Sequence, residues 1–308
     1  MKRYSVQDLK DLFHFRFIGY WLLLGLLWGI VRLPWRLRMM IGGWIGTLAF
    51  ALAKHRQAVV YKNLSLVFSE LSDKEREVLA KKIAQNIGYG FIETGMAWLR
   101  SEKYLRSISR FEGDPADLSK IFDANQPVVL VGSHSTLMEL GVRLLGLYVK
   151  SAGMFRPLKN RFFDRWIYYQ RSRAATELVH FKDMRHVLKI LKNGGNLWYA
   201  LDQDMGRRVG VFASFFNIPA SSVNILPKLT ERTGAAWIPV FIWREKKAYV
   251  VRILPEIKPK EGESDIQVME RVNKVYEQEI RQYPEQYFWM HRRFKTRPDV
   301  SENWYSER

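Results

Sequence analysis

Six residues, His134-Ser-Thr-Leu-Met-Glu139, place an imidazole and a carboxylate five positions apart. On a continuous helix that separation would turn the two side chains about 140° away from each other. Here the stretch Pro127 to Val131 (PVVLV), closed by Gly132, has the β-branched composition of a buried strand, and LMELGVRLLGLY from Leu137 has helical spacing. His134 therefore falls in a strand-to-helix turn and Glu139 in the first helical turns, where they can converge. A carboxylate holding one ring nitrogen would leave the other to take a proton from an attacking hydroxyl, which typically contributes about 10² to 10⁴ in rate. The competing reading makes Thr136 to Glu139 a capping box, with Glu139 bonded to the Thr136 N–H. A covalent route has little support, because Gly132 to Thr136 lacks the central Ser and closing Gly of a nucleophile elbow.

Cations form the second constellation. Arg156-Pro-Leu-Lys159-Asn160 continues through Arg161, Arg165, Arg171 and Arg173. Guanidinium groups bind phosphates and carboxylates in bidentate fashion and steady an oxyanion. Arg161 and Arg165 read as a solvated helix face, and Arg156 divides evenly between function and exposure. Asp204, followed by Arg207 and Arg208, is placed to orient an Arg or a sugar hydroxyl, or is an ordinary turn aspartate. Tyr287 to Phe294 (YFWMHRRF) interleaves aromatics with Arg292 and Arg293, a composition that suits a lipid–water boundary or RNA stacking.

The elements that must position these groups alternate between strand and helix. A second buried strand, Leu197 to Leu201, runs into Asp202-Gln-Asp204. A helix from Ser72 or Asp73 to Trp98, another from Ser221 or Ser222 to Gly234, a hairpin of Trp237 to Arg244 with Ala248 to Leu254, and a last amphipathic helix from Asp265 to Tyr283 complete the pattern. Such an order predicts an α/β fold with a mixed β-sheet flanked by helices, whose ligands gather beyond the carboxyl ends of strands. Both polar turns lie there.

Ahead of this region, Phe17 to Val31 carries no charge and is bracketed by Arg16 and Arg32. About fifteen apolar residues fall short of the roughly 20 that cross a bilayer, so a tilted span and an embedded helix both fit. Asp8 and Asp11 and the lack of a small-x-small site argue against a secretory signal. Met40 to Ala53 is a second apolar stretch, balanced between a buried helix and membrane contact. The expected division is a membrane-anchoring segment over 1–56, with an N-terminal apolar helix, and a catalytic domain over 57–308.

Composition limits the chemistry. The chain has 308 residues, 49 Lys and Arg against 31 Asp and Glu for a net +18, and no Cys. An excess of cations favours nucleic acid, an acidic membrane or a phosphorylated lipid. Without Cys there is no disulfide, thiolate zinc site or Cys nucleophile. The six His are scattered, H-E-x-x-H is absent, and no glycine-rich phosphate loop occurs, so metal, ATP and NAD dependence are not expected.

These residues together resemble a known family, the late acyltransferases of lipid A biosynthesis within the lysophospholipid acyltransferase superfamily. The resemblance rests on GSHSTLMELG around His134, FRPLKN at 155–160, LWYALDQDMG at 197–206 and PEQYFWMHRRFKTRP at 284–298, in order over nearly the whole chain. It implies a glycerolipid acyltransferase-like fold and His134 and Glu139 as the catalytic pair. It also implies substrate contacts among Arg156, Lys159, Asn160, Arg171, Asp204, Arg207, Arg292 and Arg293, and no cofactor. The implied donor is acyl-acyl carrier protein and the acceptor a Kdo-bearing lipid A precursor, at the cytoplasmic face of the inner membrane with its lipids as neighbours and no nucleic acid. A glycerolipid acyltransferase acting on lysophosphatidic acid, and a basic RNA-binding or membrane-scaffold protein, are the alternatives.

Overall fold

The computed structural model describes residues 10–305 other than 124 and 259; Asp8, weighed above against a secretory signal, lies outside them. The centre is a seven-stranded sheet in the order β1-β9-β8-β2-β5-β3-β4 among the described residues. Its strands are β1 (Ser109–Glu112), β2 (Val128–Gly132), β3 (Ala152–Phe155), β4 (Leu178–His180), β5 (Asn196–Ala200), β8 (Ala236–Glu245) and β9 (Ala248–Ile253). All neighbours run parallel except the β8–β9 hairpin, which is antiparallel. The expected mixed α/β sheet is therefore present, and Lys246 at the hairpin tip adopts a positive φ of 49°.

β2 is buried along its whole length, as a parallel strand covered on both faces must be. Its side chains alternate between two cores. Val129 and Val131 join Leu197, Trp237 and Tyr276 on one face, while Val128 and Leu130 join Ile238, Val240 and Leu144 on the other.

The helices on these faces are α1 (Ile18–Ile30), α2 (Trp35–Leu52), α3 (Lys54–Val67), α4 (Asp73–Leu99), α5 (Glu102–Ser107), α6 (Pro115–Phe122), α7 (Met138–Tyr148), α8 (Arg161–Ser172), α9 (Met184–Lys192), α10 (Leu226–Thr233) and α11 (Asp265–Gln282). Ser72 and Glu75 close a reciprocal capping box that starts α4 at the expected place. Ser221 and Ser222, by contrast, lie not at a helix start but in β7 (Ile218–Val223), which pairs with β6 (Gly210–Phe215) in a separate antiparallel hairpin. Its turn, Phe216-Asn217, has both φ angles positive, at 53° and 60°. The helix begins only at Leu226 and ends, as expected, where Gly234 takes a left-handed φ of 71°.

Of the two readings open for the N-terminal apolar helix, a tilted span and an embedded helix, its length does not favour the span. α1 has 13 residues, about 20 Å of helix against the roughly 30 Å of a hydrocarbon core. Among the described residues no helix is long and apolar enough to cross a membrane. α2 lies against α4 backbone to backbone: a Cβ on Gly46 would collide with the Ala84 carbonyl oxygen, and one on Gly88 with that of Gly42. The boundary drawn at residue 56 falls inside the first turn of α3.

Candidate active site

The register between β2 and β5 positions the site. Gly132 pairs with Ala200 at their shared carboxyl end, so the residues two positions further along, His134 and Asp202, emerge side by side. Asp202 Oδ1 lies 2.7 Å from His134 Nδ1, and its Oδ2 accepts the His134 backbone N–H at 2.9 Å. The Asp202 side chain is fully buried and that of His134 is 21% exposed. Burial works against the imidazolium, but the charge and hydrogen bond of Asp202 outweigh it, and the ring titrates above the ordinary histidine value of 6.5. Burial likewise raises the Asp202 carboxyl, yet His134 brings it net below its usual range.

The carboxylate that holds His134 is thus Asp202 and not Glu139. Glu139 instead accepts from Arg171 of α8, whose Nε lies 3.0 Å from Oε1 and 3.4 Å from Oε2, and whose terminal nitrogen also bonds Oε1. The physical reason is the turn. Met138 opens α7 only after His134 has been fixed over β5, and Glu139, inside that helix, is directed to the α8 cation. Nor does Glu139 cap the helix. The Thr136 N–H donates to the Gln286 carbonyl at 2.9 Å, and the Leu137 N–H to Ser135 Oγ at 3.2 Å.

His134 and Glu139 nonetheless share a cleft of about 230 Å³ whose walls include Thr94 of α4, Met138 of α7, and Phe288 and Met290 of the C-terminal segment. Met138 is also a wall of a second, narrow and mostly apolar space between α7, α8 and the sheet, lined further by Val142, Leu145, Met154, Ala174 and Trp198. Arg171 borders this pocket. The Glu139–Arg171 pair therefore stands between the His134 cleft and the apolar pocket.

The segment after α11 holds the catalytic turn from outside. Ser135 forms a β-bridge with Tyr287, and the Phe288 N–H donates to the His134 carbonyl at 3.2 Å. Beneath it, Tyr276 donates its hydroxyl to the Gly132 carbonyl at 2.7 Å. Burial first, and the charge of Asp202 second, raise the Tyr276 and Tyr287 hydroxyls well above the usual tyrosine range. Burial pushes His291 down to about 4, and its neutral Nε2 accepts the Asp204 backbone N–H at 2.9 Å.

The other candidate residues have varied surroundings. Arg156 is exposed on the loop after β3, 5.3 Å above the Phe181 ring, with Lys159 also exposed. Asn160 caps α8 and donates to the Tyr20 hydroxyl at 2.8 Å. Asp204 accepts from Thr296 N and Oγ1 and from Gly206 N, and so pins a turn and does not orient an Arg. Arg207 donates to the Arg297 and Pro298 carbonyls. Arg293 is buried beneath the site, bonded to the Ser221 carbonyl and Ser222 Oγ, whereas Arg292 lies at the surface 2.7 Å from His55 Nε2. Arg165, read as solvated, is buried, with its guanidinium 3.0 Å from Asp11 Oδ2.

A histidine braced by a buried aspartate, at the carboxyl edge of a mixed sheet and beside an apolar pocket, is a site equipped for proton transfer to or from a ligand with a long hydrocarbon part. A family model of the bacterial lipid A biosynthesis acyltransferases matches residues 6–296, and the chain belongs to that family. It is 33% identical over 292 residues to the lipid A biosynthesis lauroyltransferase of Escherichia coli K12, covering 94% of this chain and 95% of that one. To the palmitoleoyltransferase of the same organism it is 33% identical over 293 residues, with the same coverage. A lipid A biosynthesis acyltransferase of Haemophilus influenzae is 34% identical over 298 residues, 93% of this chain and 94% of that protein. The protein is accordingly an O-acyltransferase of lipid A biosynthesis, with a lipid A-type acceptor.

Proposed function

We propose that this acyltransferase moves a fatty acyl chain from acyl-acyl carrier protein to a hydroxyl of a Kdo-bearing lipid A precursor, at the cytoplasmic face of the inner membrane. The observation that carries the reading is the His134–Asp202 pair in a cleft next to an apolar pocket. Asp202 fixes the proton on Nδ1, so Nε2 is the basic nitrogen. It removes the proton of the acceptor hydroxyl as that oxygen attacks the thioester carbonyl. Collapse of the tetrahedral intermediate breaks the C–S bond, and the imidazolium returns the proton to the departing thiolate. No acyl-enzyme forms.

Glu139 keeps its catalytic part in this scheme by a different route. It holds the Arg171 guanidinium between cleft and pocket, where a fixed cation steadies the oxyanion without reorganising. The acyl tail lies in the pocket behind Met138, each buried CH₂ contributing roughly 0.8 kcal/mol, so pocket depth discriminates between chain lengths in small steps. Arg156 and Lys159, on the loop beyond β3 at the same sheet edge, are exposed cations suited to acceptor phosphates.

The test is transfer by the purified protein from acyl-acyl carrier protein to the Kdo-bearing precursor, with lysophosphatidic acid as the rival acceptor and mass spectrometry as readout. We expect product with the former acceptor and a loss of about 10² to 10⁴ in rate for His134→Ala. Preference for lysophosphatidic acid would move the protein to glycerolipid synthesis. Near-unchanged turnover by a folded His134→Ala protein would remove the imidazole from the mechanism.

A further inference from the structure

Helices α1 and α2 each have two unlike faces, and both faces are apolar. In α1, Leu24 and Leu27 are buried, Leu27 against Gly95 of α4, while Ile18, Leu22 and Leu26 form an outward stripe at i, i+4, i+8, with Leu22 69% exposed. In α2 the glycines at 42 and 46 face α4 at backbone contact, while Met40, Trp44, Leu48 and Leu52 form a second outward stripe, with Leu52 75% exposed. An ordinary amphipathic helix is polar on its outward side; these two are greasy where they face away from the protein. The packed face matters equally. Gly46 and Gly88 allow an approach between α2 and α4 that only bare backbone permits, so α2 cannot leave the globular body to become a free membrane helix.

The charge around the stripes says what covers them. From Leu12 to Ser69 the chain has no Asp or Glu and seven Lys and Arg. Arg16 stands before α1, Arg32 and Arg36 stand at the connection to α2, and Lys54 and Arg56 follow its end; all are exposed. Arg32 lies 3.7 Å over the Trp28 ring, which is itself half exposed. Apolar stripes bounded at their ends by cations and Trp have the makeup of a surface that sinks to headgroup depth in an anionic leaflet.

The geometry points to a monotopic membrane protein: α1 and α2 lie in one leaflet of an anionic bilayer, fixed to the catalytic body by their inner faces, and neither crosses. This rests on the reading that the acceptor is a membrane lipid. It also explains how such an acceptor reaches the site without leaving the bilayer, since α4, which seats α2, also supplies Thr94 to the wall of the His134 cleft.

Because the chain has no Cys, single-cysteine labelling needs no prior substitution. The full-length protein carrying Lys10→Cys, Arg36→Cys or Lys54→Cys is expressed in the inner membrane and treated with an impermeant maleimide, in spheroplasts and in inverted vesicles. All three positions should be protected in spheroplasts and labelled in inverted vesicles; labelling of any one of them in spheroplasts would establish a crossing helix and overturn the proposal. In parallel, purified protein is floated with vesicles containing anionic lipid and with neutral ones. Binding should favour the anionic vesicles, and the double variant Trp44→Glu, Leu48→Glu should bind them at least about tenfold more weakly while retaining transfer to a detergent-dispersed acceptor. Unaltered binding by that variant would refute the assignment, and a stable dimer that shields Trp44 and leaves vesicles unbound would assign the face to a second copy. Membrane topology as stated with no transfer to the lipid A precursor would sink the substrate reading and leave the monotopic arrangement standing.

Discussion

His134 is useful as a base only when neutral, and Asp202 makes it harder to deprotonate. Since the ring titrates above 6.5, the rate should climb with pH through that raised value and level off beyond it. Asp202→Asn alters this in two ways. Loss of the carboxylate charge leaves burial as the dominant influence on the ring, so the rising limb of kcat/KM moves to lower pH. The amide NH₂ of Asn can donate to Nδ1 and put the ring proton on Nε2, the wrong tautomer, which lowers the plateau by on the order of 10³ to 10⁴. A pH–rate profile of both proteins measures the two effects together; an acid limb that stays in place would mean that another group titrates. Sequence reading found the imidazole through its strand-to-helix setting but chose Glu139 as its partner, because that residue is close in the chain. The signal for Asp202 was present in a weaker form: PVVLVGSH and LWYALDQD each set a polar residue just past a buried strand. Choosing Asp202 over Asp204 requires the register Gly132–Ala200, which depends on β2 and β5 being neighbours.

At the scale of elements, the catalytic turn is held by a segment 150 residues further on, and Gln286 is the joint. Its side chain accepts from the Arg244 N–H and donates to the Arg244 carbonyl, both at 2.9 Å, so it fills the place of a missing strand beside β8. Its own carbonyl then receives the Thr136 N–H and hydroxyl. Gln286→Leu would leave the Arg244 backbone groups unpaired in the interior, at about 1–3 kcal/mol each. It should lower the melting temperature and, by loosening the His134 turn, depress kcat by roughly 10² with little change in KM. Gln286→Glu, which keeps one of the two bonds, should recover part of both; thermal unfolding and steady-state kinetics report them, and a KM effect alone would show that the residue touches substrate. No local pattern marks Gln286, whereas α4, α7, α11 and the β8–β9 hairpin were legible from spacing and caps. β6–β7 was not, because Phe216-Asn217 takes positive φ without the glycine that usually announces such a turn.

For the whole molecule the decisive property is its +18 charge. Little of it is consumed at the site: Arg171 is paired with Glu139 and Arg293 with backbone and Ser222, leaving the exposed cations to act at long range. Surface charge of this kind accelerates encounter with an acidic partner and is screened over about 10 Å at 0.1 M salt. If the donor arrives on an acidic carrier protein, kcat/KM should fall about tenfold between low and several-hundred-millimolar salt, through KM, with kcat held. A short acyl thioester without a charged carrier supplies the control, because it reaches the same pocket by diffusion alone. Equal salt sensitivity for both donors would place the electrostatic contribution on the acceptor side, and insensitivity of both would mean that the charge serves membrane attachment and not substrate capture.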